Sequence, residues 1–215
     1  MKDLLNKPSS IFYGWWIVAA SFFIALVIGG IAFSGFTAIF EPIADEFGWS
    51  YSQISLAASL RGLEMGLLAP FTGILVDRYG PKRIIFIGGI ITAGGLFLLG
   101  GTTSLPMFYG AFVLIAMGVS ASSMTALTTA VANWFRKRVG LASGIAIAGF
   151  GFGGLMIPVI VWLTEKYQWR LAIIILGAGL LAIVLPLSLL IRHKPEQYGY
   201  LPDGYPSEPD VLSNN

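Results

Sequence analysis

Two ionisable side chains, Arg61 and Glu64, stand inside the otherwise apolar stretch SLRGLEMGLLAP, residues 59–70. A guanidinium can attract an anion, and a carboxylate held in an apolar setting can take up and release a proton. Ionisable groups inside a membrane segment commonly mark a solute or proton path. Three residues apart, the two lie on neighbouring positions of one helix face and can also neutralise each other. Two readings therefore stand side by side. In one, they form a structural ion pair that fixes a helix against its neighbours. In the other, they line a central cavity, where Arg61 attracts an anionic solute and Glu64 is a proton-coupling or gating carboxylate. Other chemistries are excluded by residue type. The chain has no Cys and its single His is His193, so disulfides, thiolate metal sites, thiol nucleophiles and His-based triads are ruled out. No metal or cofactor is expected, and no enzyme activity.

The elements that must position this pair follow from composition. Of 215 residues, 56% are hydrophobic and 11% charged, against roughly a quarter charged in a soluble domain. Such a chain belongs in a lipid bilayer. A span needs about 20 mostly apolar residues, and that rule predicts six, at roughly 15–40, 52–76, 84–101, 106–133, 139–163 and 170–192. Trp15, Trp16, Trp49, Tyr51, Tyr109, Trp134, Trp162, Tyr167 and Trp169 fall near span ends, where aromatic belts are expected. With the second span starting near Ser52, a rise of about 1.5 Å per residue puts Arg61 about 14 Å and Glu64 about 18 Å deep, both close to the midplane.

Orientation follows from Lys and Arg. Ten of the thirteen sit on one side: Lys2, Lys7, Arg78, Lys82, Arg83, the cluster Arg136, Lys137 and Arg138, and Arg192 and Lys194. The opposite side has Lys166 and Arg170 with Glu41, Asp45 and Glu46. This asymmetry predicts cytoplasmic termini. The domain plan is a cytoplasmic segment 1–14, a transmembrane bundle 15–192, and a flexible or partly extended cytoplasmic tail, 193–215, with Pro195, Pro202, Pro206 and Pro209. The net charge of +2 gives no reason to expect a nucleic-acid partner.

The tightest motif is GILVDRYGPKR, residues 73–83. Asp77 and Arg78 close one helix, Gly80 and Pro81 force a sharp turn, and Lys82 and Arg83 open the next. Gly73, Asp77, Arg78, Gly80, Lys82 and Arg83 resemble the signature loop between the second and third spans of the major facilitator superfamily. The stretches NWFRKRVGLASGIAIAGFGFGG (133–154) and RHKPEQYGYLPDG (192–204) are similar to its monocarboxylate and oxalate–formate branch. The resemblance implies an all-α membrane protein, the amino-terminal half of such a transporter, with six helices as two inverted three-helix repeats. It implies that the 73–83 loop clasps helix ends, Asp77 carrying the clasp, and that part of the clasp is made with a second six-helix half. It further implies alternating-access transport of small organic anions such as monocarboxylates, by proton symport or anion exchange, in the plasma or cell inner membrane. No nucleotide-binding loop is present, so ATP is not expected to drive it. The competing class is a non-transporting scaffold or sensor with the same fold. VDRYG-PKRIIFIGG (76–89) and LTEKYQWRLAIIILGAG (163–179) share an acid, a base, a Tyr and an Arg opening an apolar run, as inverted repeats would.

The fifth span carries Gly140, Gly144, Gly149 and Gly153, then Pro158, and the second carries Gly62, Gly66, Ala69 and Gly73. Small residues four apart let helix backbones approach closely. These seams either pack helices or let them slide during a transport cycle. Ser34 and Thr37 in the first span, and Ser123 in the fourth, are candidates for a solute path, since the resemblance implies that these two spans line the cavity. Most hydroxyls of the fourth span are expected to bond back to their own helix.

Overall fold

The computed structural model describes residues 12–193 together with Pro195 and Asp203. The segment 1–11 and most of the expected tail lie outside the described residues. Within them the chain is helical, with no strand. That is what apolar runs require where no water can satisfy backbone N–H and C=O groups.

Eight α-helices follow in order: α1 Tyr13–Ile28, α2 Gly35–Phe47, α3 Tyr51–Tyr79, α4 Pro81–Gly100, α5 Leu105–Ala121, α6 Met124–Ala132, α7 Val139–Phe152 and α8 Ile157–Leu190. A π-helical turn, Gly29–Ser34, joins α1 to α2, and a 3-10 turn, Gly153–Met156, joins α7 to α8. They combine into five long apolar helices, Tyr13–Phe47, Tyr51–Tyr79, Pro81–Gly100, Leu105–Ala132 and Val139–Leu190. The fifth and sixth expected spans lie on the two arms of the stretch Val139–Leu190. It is broken at Gln168, where φ is 63° and ψ 155°.

The chain reverses at that break. Near its middle, Trp169 and Arg170 reach Glu46 at the end of α2. At its finish, the Leu190 carbonyl accepts from the Tyr13 hydroxyl at the start of α1, 2.9 Å away. Glycines set the helix contacts. A Cβ on Gly149 would strike the Phe22 carbonyl, and one on Gly153 would stand 2.5 Å from the Gly30 nitrogen. Ile160 lies beside Gly35, so α1–α2 and α7–α8 run parallel at close range. The returning arm of α8 is antiparallel to α4, with Val184 beside Gly89 and Ile174 beside Gly100.

One end of the bundle carries the turn at Gly80, the 134–138 loop and the exit of α8. Gly80 has φ 83°, which glycine supplies without strain, and a Cβ there would meet the His193 ring at 3.1 Å. The Trp134 indole donates to the Arg192 carbonyl at 3.0 Å, and Asn133 Nδ2 to that of His193 at 2.9 Å. Arg78, Lys82, Arg83, Arg136, Lys137, Arg138 and Arg192 thus gather at this end, as the charge pattern predicts. Two aromatic residues expected in interfacial belts are core instead. Trp134 is 0% exposed and Trp169 5%, because the indole N–H of each finds a partner inside the protein.

The opposite end is latched by Glu46. Its Oε1 accepts from Arg170 Nη2 at 2.7 Å and Nε at 3.0 Å, and its Oε2 from Trp169 Nε1 at 2.6 Å. Arg170 Nη1 also donates to the Gly100 carbonyl at 3.0 Å, so one guanidinium ties the ends of α2, α4 and the α8 break. Charge-assisted bonds contribute about 1.5–3 kcal/mol each when dry, and the partial exposure of this pair discounts that. Glu46→Ala is expected to cost about 2 kcal/mol and Glu46→Gln about half as much, measured by denaturant unfolding in detergent.

Candidate functional site

An open cavity of about 580 Å3 lies where three helices lose regularity. The π turn contributes Gly29, Phe33 and Ser34, the end of α7 contributes Phe150 and Gly151, and the break between α5 and α6 contributes Ser123. Ser122 leaves the helix at φ −100°, ψ 25°, and Ser123 is extended at ψ 173°, which turns the α6 N-terminus towards the space. Met65 and Ala69 of α3 complete one wall, and Ser120 and Thr125 add hydroxyls. The size fits the range of small-molecule sites, roughly 300–1,000 Å3. No charged side chain lines it among the described residues. The surface is apolar with a few hydroxyls, suited to the body of a small polar solute.

Of the five residues expected on a solute path, this cavity brings together Ser34 and Ser123. Thr37 does not line it, and its hydroxyl donates to the Ser34 carbonyl at 2.7 Å. Arg61 lies in a separate narrow crevice with Ala32, Phe36, Leu96, Phe112 and Leu176. A charge at such depth costs about 2.5–3.5 kcal/mol on insertion scales and needs a partner. The partner is not Glu64. Arg61 Nη1 donates to the Ala32 carbonyl, and the guanidinium lies 5.0 Å from the Phe33 ring centre and 5.9 Å from that of Phe36. Glu64 is partly buried on α3 and lines neither the cavity nor the Arg61 crevice. The sequence offered no signal for this arrangement, since a π turn leaves no mark in hydropathy.

The glycine seams divide. Gly149 and Gly153 are jammed against α1 and the π turn, whereas a Cβ on Gly140 or Gly144 would meet nothing within 4 Å. The expectation of close packing at Gly140 and Gly144 is therefore corrected within this chain. The reason is helical phase: nine residues are about two and a half turns, so the two glycine pairs point to opposite sides of α7. Gly62, Gly66 and Gly73 of α3 likewise face open space. Pro158 opens α8 directly after the 3-10 turn, where a missing N–H costs nothing. The fourth-span hydroxyls are structural in part: Thr128 bonds back to Met124, whereas Ser120 pairs with Thr72 at 3.1 Å and Ser122 donates to Ile85 of α4.

In the signature loop, Asp77 and Arg78 are exposed at the end of α3, with Lys82 and Arg83 at the start of α4. Among the described residues Asp77 makes no ion pair or hydrogen bond, and Arg78 lies over the neighbouring Tyr79 ring at 5.5 Å. The loop 136–138 is held from an unexpected quarter. Asp203 Oδ2 accepts from the backbone N–H of Arg136 at 3.0 Å and of Lys137 at 2.8 Å, and the Asp203 N–H donates to the Trp134 carbonyl at 2.9 Å. This point of the expected flexible tail is therefore docked, and its carboxylate serves the open N–H groups before α7. Burial works to raise the pKa of Asp203, but the N–H groups of Lys137, Arg136 and Arg138, with the Lys137 charge, bring it below its ordinary 3.8. A carboxyl whose pKa falls on folding stabilises above its unfolded value and loses that contribution as pH drops through the folded one. Amide exchange at Arg136 and Lys137 is thus expected to be equally slow at pH 6 and 8 once intrinsic rates are divided out. Asp203→Ala should accelerate it at least tenfold, read by hydrogen exchange and mass spectrometry.

The whole sequence tells the same story as this geometry. Residues 22–212 match the Major Facilitator Superfamily. Monocarboxylate transporter 13 of Bos taurus is 32% identical over 211 residues, covering 85% of this chain and 48% of that protein. The oxalate:formate antiporter of Oxalobacter formigenes is 27% identical, over 85% of this chain and 44% of its own length. Human monocarboxylate transporter 2 is 28% identical, over 86% and 39%. The chain thus spans less than half the length of these relatives. An all-helical bundle with five long apolar helices, the signature turn at Asp77–Arg83, and a match over most of its length agree: this chain belongs to the major facilitator superfamily, in its monocarboxylate and oxalate–formate transporter-like branch.

Proposed function

We propose that the chain forms the amino-terminal half of a secondary active transporter for small organic anions such as monocarboxylates. It works by alternating access, with proton symport or anion exchange, and sits in the plasma or cell inner membrane with both termini cytoplasmic. The observation that carries this reading is the open cavity at the π turn and the α5–α6 break, with Ser34 and Ser123 on its wall. No charged side chain lines it among the described residues, so in this reading a second six-helix half recognises the carboxylate, with Ser34 and Ser123 contributing hydrogen bonds. Glu64, beside the cavity-lining Met65, is the proton-coupling or gating carboxylate. Arg61 and Thr37 act on the backbone of the first span.

A second half also suits the uncovered surface. Only 11% of the most apolar window of α3 is buried, against 67% for the first long helix. Leu63, Leu67, Phe71 and Ile74 are exposed on it alongside the open Gly62 and Gly66. Asp77, exposed at the foot of the same helix, is then free to clasp a helix end of that half, with Arg78, Lys82 and Arg83 beside it. The test is uptake of labelled lactate, formate and oxalate into proteoliposomes holding the assembled transporter, with and without a pH gradient. Saturable uptake of at least one anion is expected. Uptake no faster than into empty vesicles for all three would replace the reading with a non-transporting scaffold.

A further inference from the structure

Arg61 and the irregular turn it touches belong to one device. A π turn holds an extra residue per turn and loosens the regular backbone ladder, so a carbonyl within it looks for another donor. Arg61 supplies that donor to Ala32 from a different helix, and its guanidinium lies over the rings of Phe33 and Phe36, one inside the turn and one just past it. The turn is pressed from the other side. A Cβ on Gly30 would meet Met156 at 2.5 Å, and one on Gly29 the Phe150 carbonyl at 2.9 Å, so the π turn of the first long helix abuts the 3-10 turn of the last. Three residues of the turn, Gly29, Phe33 and Ser34, line the cavity. Arg61, Met65 and Ala69 are spaced four apart on one face of α3, and the latter two line the cavity as well.

We propose that Arg61 is a positioning residue: its hydrogen bond to Ala32 keeps Gly29–Ser34 in the π form and so holds Ser34 on the cavity wall. The assignment rests on the cavity being the solute path. Without the guanidinium the turn rewinds to α, which rotates Ser34 away from the cavity while the α5–α6 wall stays in place. Residues 1–215 contain no Cys, so a cysteine introduced among them is read against the labelling of the unsubstituted protein.

The experiment measures labelling of Ser34→Cys and, separately, Ser123→Cys by a small water-soluble thiol reagent in proteoliposomes. Each is placed in the wild-type, Arg61→Met and Arg61→Lys backgrounds, with Arg61→Leu replacing any Arg61→Met protein that does not accumulate. Arg61→Met is expected to slow Ser34→Cys at least fivefold and leave Ser123→Cys within twofold. Arg61→Lys, which can still donate to a carbonyl, is expected to restore the Ser34→Cys rate to within twofold of the wild-type background. An unchanged Ser34→Cys rate in Arg61→Met would overturn the positioning role while leaving the cavity intact. Failure of both cysteines to react in the wild-type background would instead overturn the cavity reading, and the inference with it.

Discussion

Gly149→Val is expected to prevent the bundle from closing, with loss of the folded protein in detergent and a drop in stability of about 3 kcal/mol or more. The group in the way is the backbone carbonyl of Phe22, with the Ala25 methyl 2.9 Å from the same point. Overpacking a well-filled contact costs about 1–3 kcal/mol when side chains can yield. A carbonyl cannot yield without carrying α1 with it, so the upper end applies. Gly149→Ala should already show most of the effect, since the first carbon makes the collision. Gly144→Ala on the same helix is the control. Its new methyl enters open space, and Ala favours a helix over Gly by roughly 1 kcal/mol, so the bundle should be as stable or slightly more so. Equal behaviour of Gly144→Ala and Gly149→Ala in size-exclusion profile and unfolding would contradict the α1–α7 contact.

That contrast marks what one sequence can and cannot carry. The apolar runs are legible because the bilayer imposes length and composition, and the helices begin close to where hydropathy and the Gly80–Pro81 turn predict them. The reversal at Gln168 was expected from the polar TEKYQWR stretch, but the helix continues further into that stretch on both sides than hydropathy alone suggests. Glycine spacing shows that a helix has a close-packing face without saying which neighbour meets it. Hence Gly149 and Gly153 pack inside the chain while Gly140 and Gly144 do not.

The candidate site was half legible for a related reason. Ser34 and Ser123, candidates on the first and fourth spans, both line one cavity. One of the two readings of Arg61 and Glu64 has them neutralise each other, because helix periodicity is the only geometry a sequence displays. The competing partner, a carbonyl inside a π turn 29 residues away, depends on backbone irregularity that Gly29 and Gly30 permit but do not announce. The bonds of Glu46 to Arg170 and of Asp203 to Arg136 join residues 124 and 67 positions apart. Neither separation has a periodic signature. Asp203 in particular lies in a Pro-rich stretch whose composition favours an extended chain, and one carboxylate facing waiting N–H groups suffices to dock it.

Ser123→Trp is the second large effect, on transport rather than on folding. Ser123 sits extended at the entry to α6, at the junction of α5 and α6 on the cavity wall. A larger side chain there can enter existing space without displacing packed core. The indole would occupy the volume that the proposed solute needs and face the π turn across it. Uptake of the preferred anion should fall at least tenfold, about 1.4 kcal/mol or more in transition-state terms, with thermal unfolding and purification yield unchanged. Ser123→Ala removes only a hydroxyl, and a neutral hydrogen bond contributes about 0.5–1.5 kcal/mol net. It should raise the half-saturating concentration by about two- to tenfold while maximal uptake holds, whereas Ser123→Trp should lower maximal uptake. If Ser123→Trp carries the anion at the wild-type rate, the solute does not pass between α1 and α6, and the cavity is a packing defect between helices rather than the path.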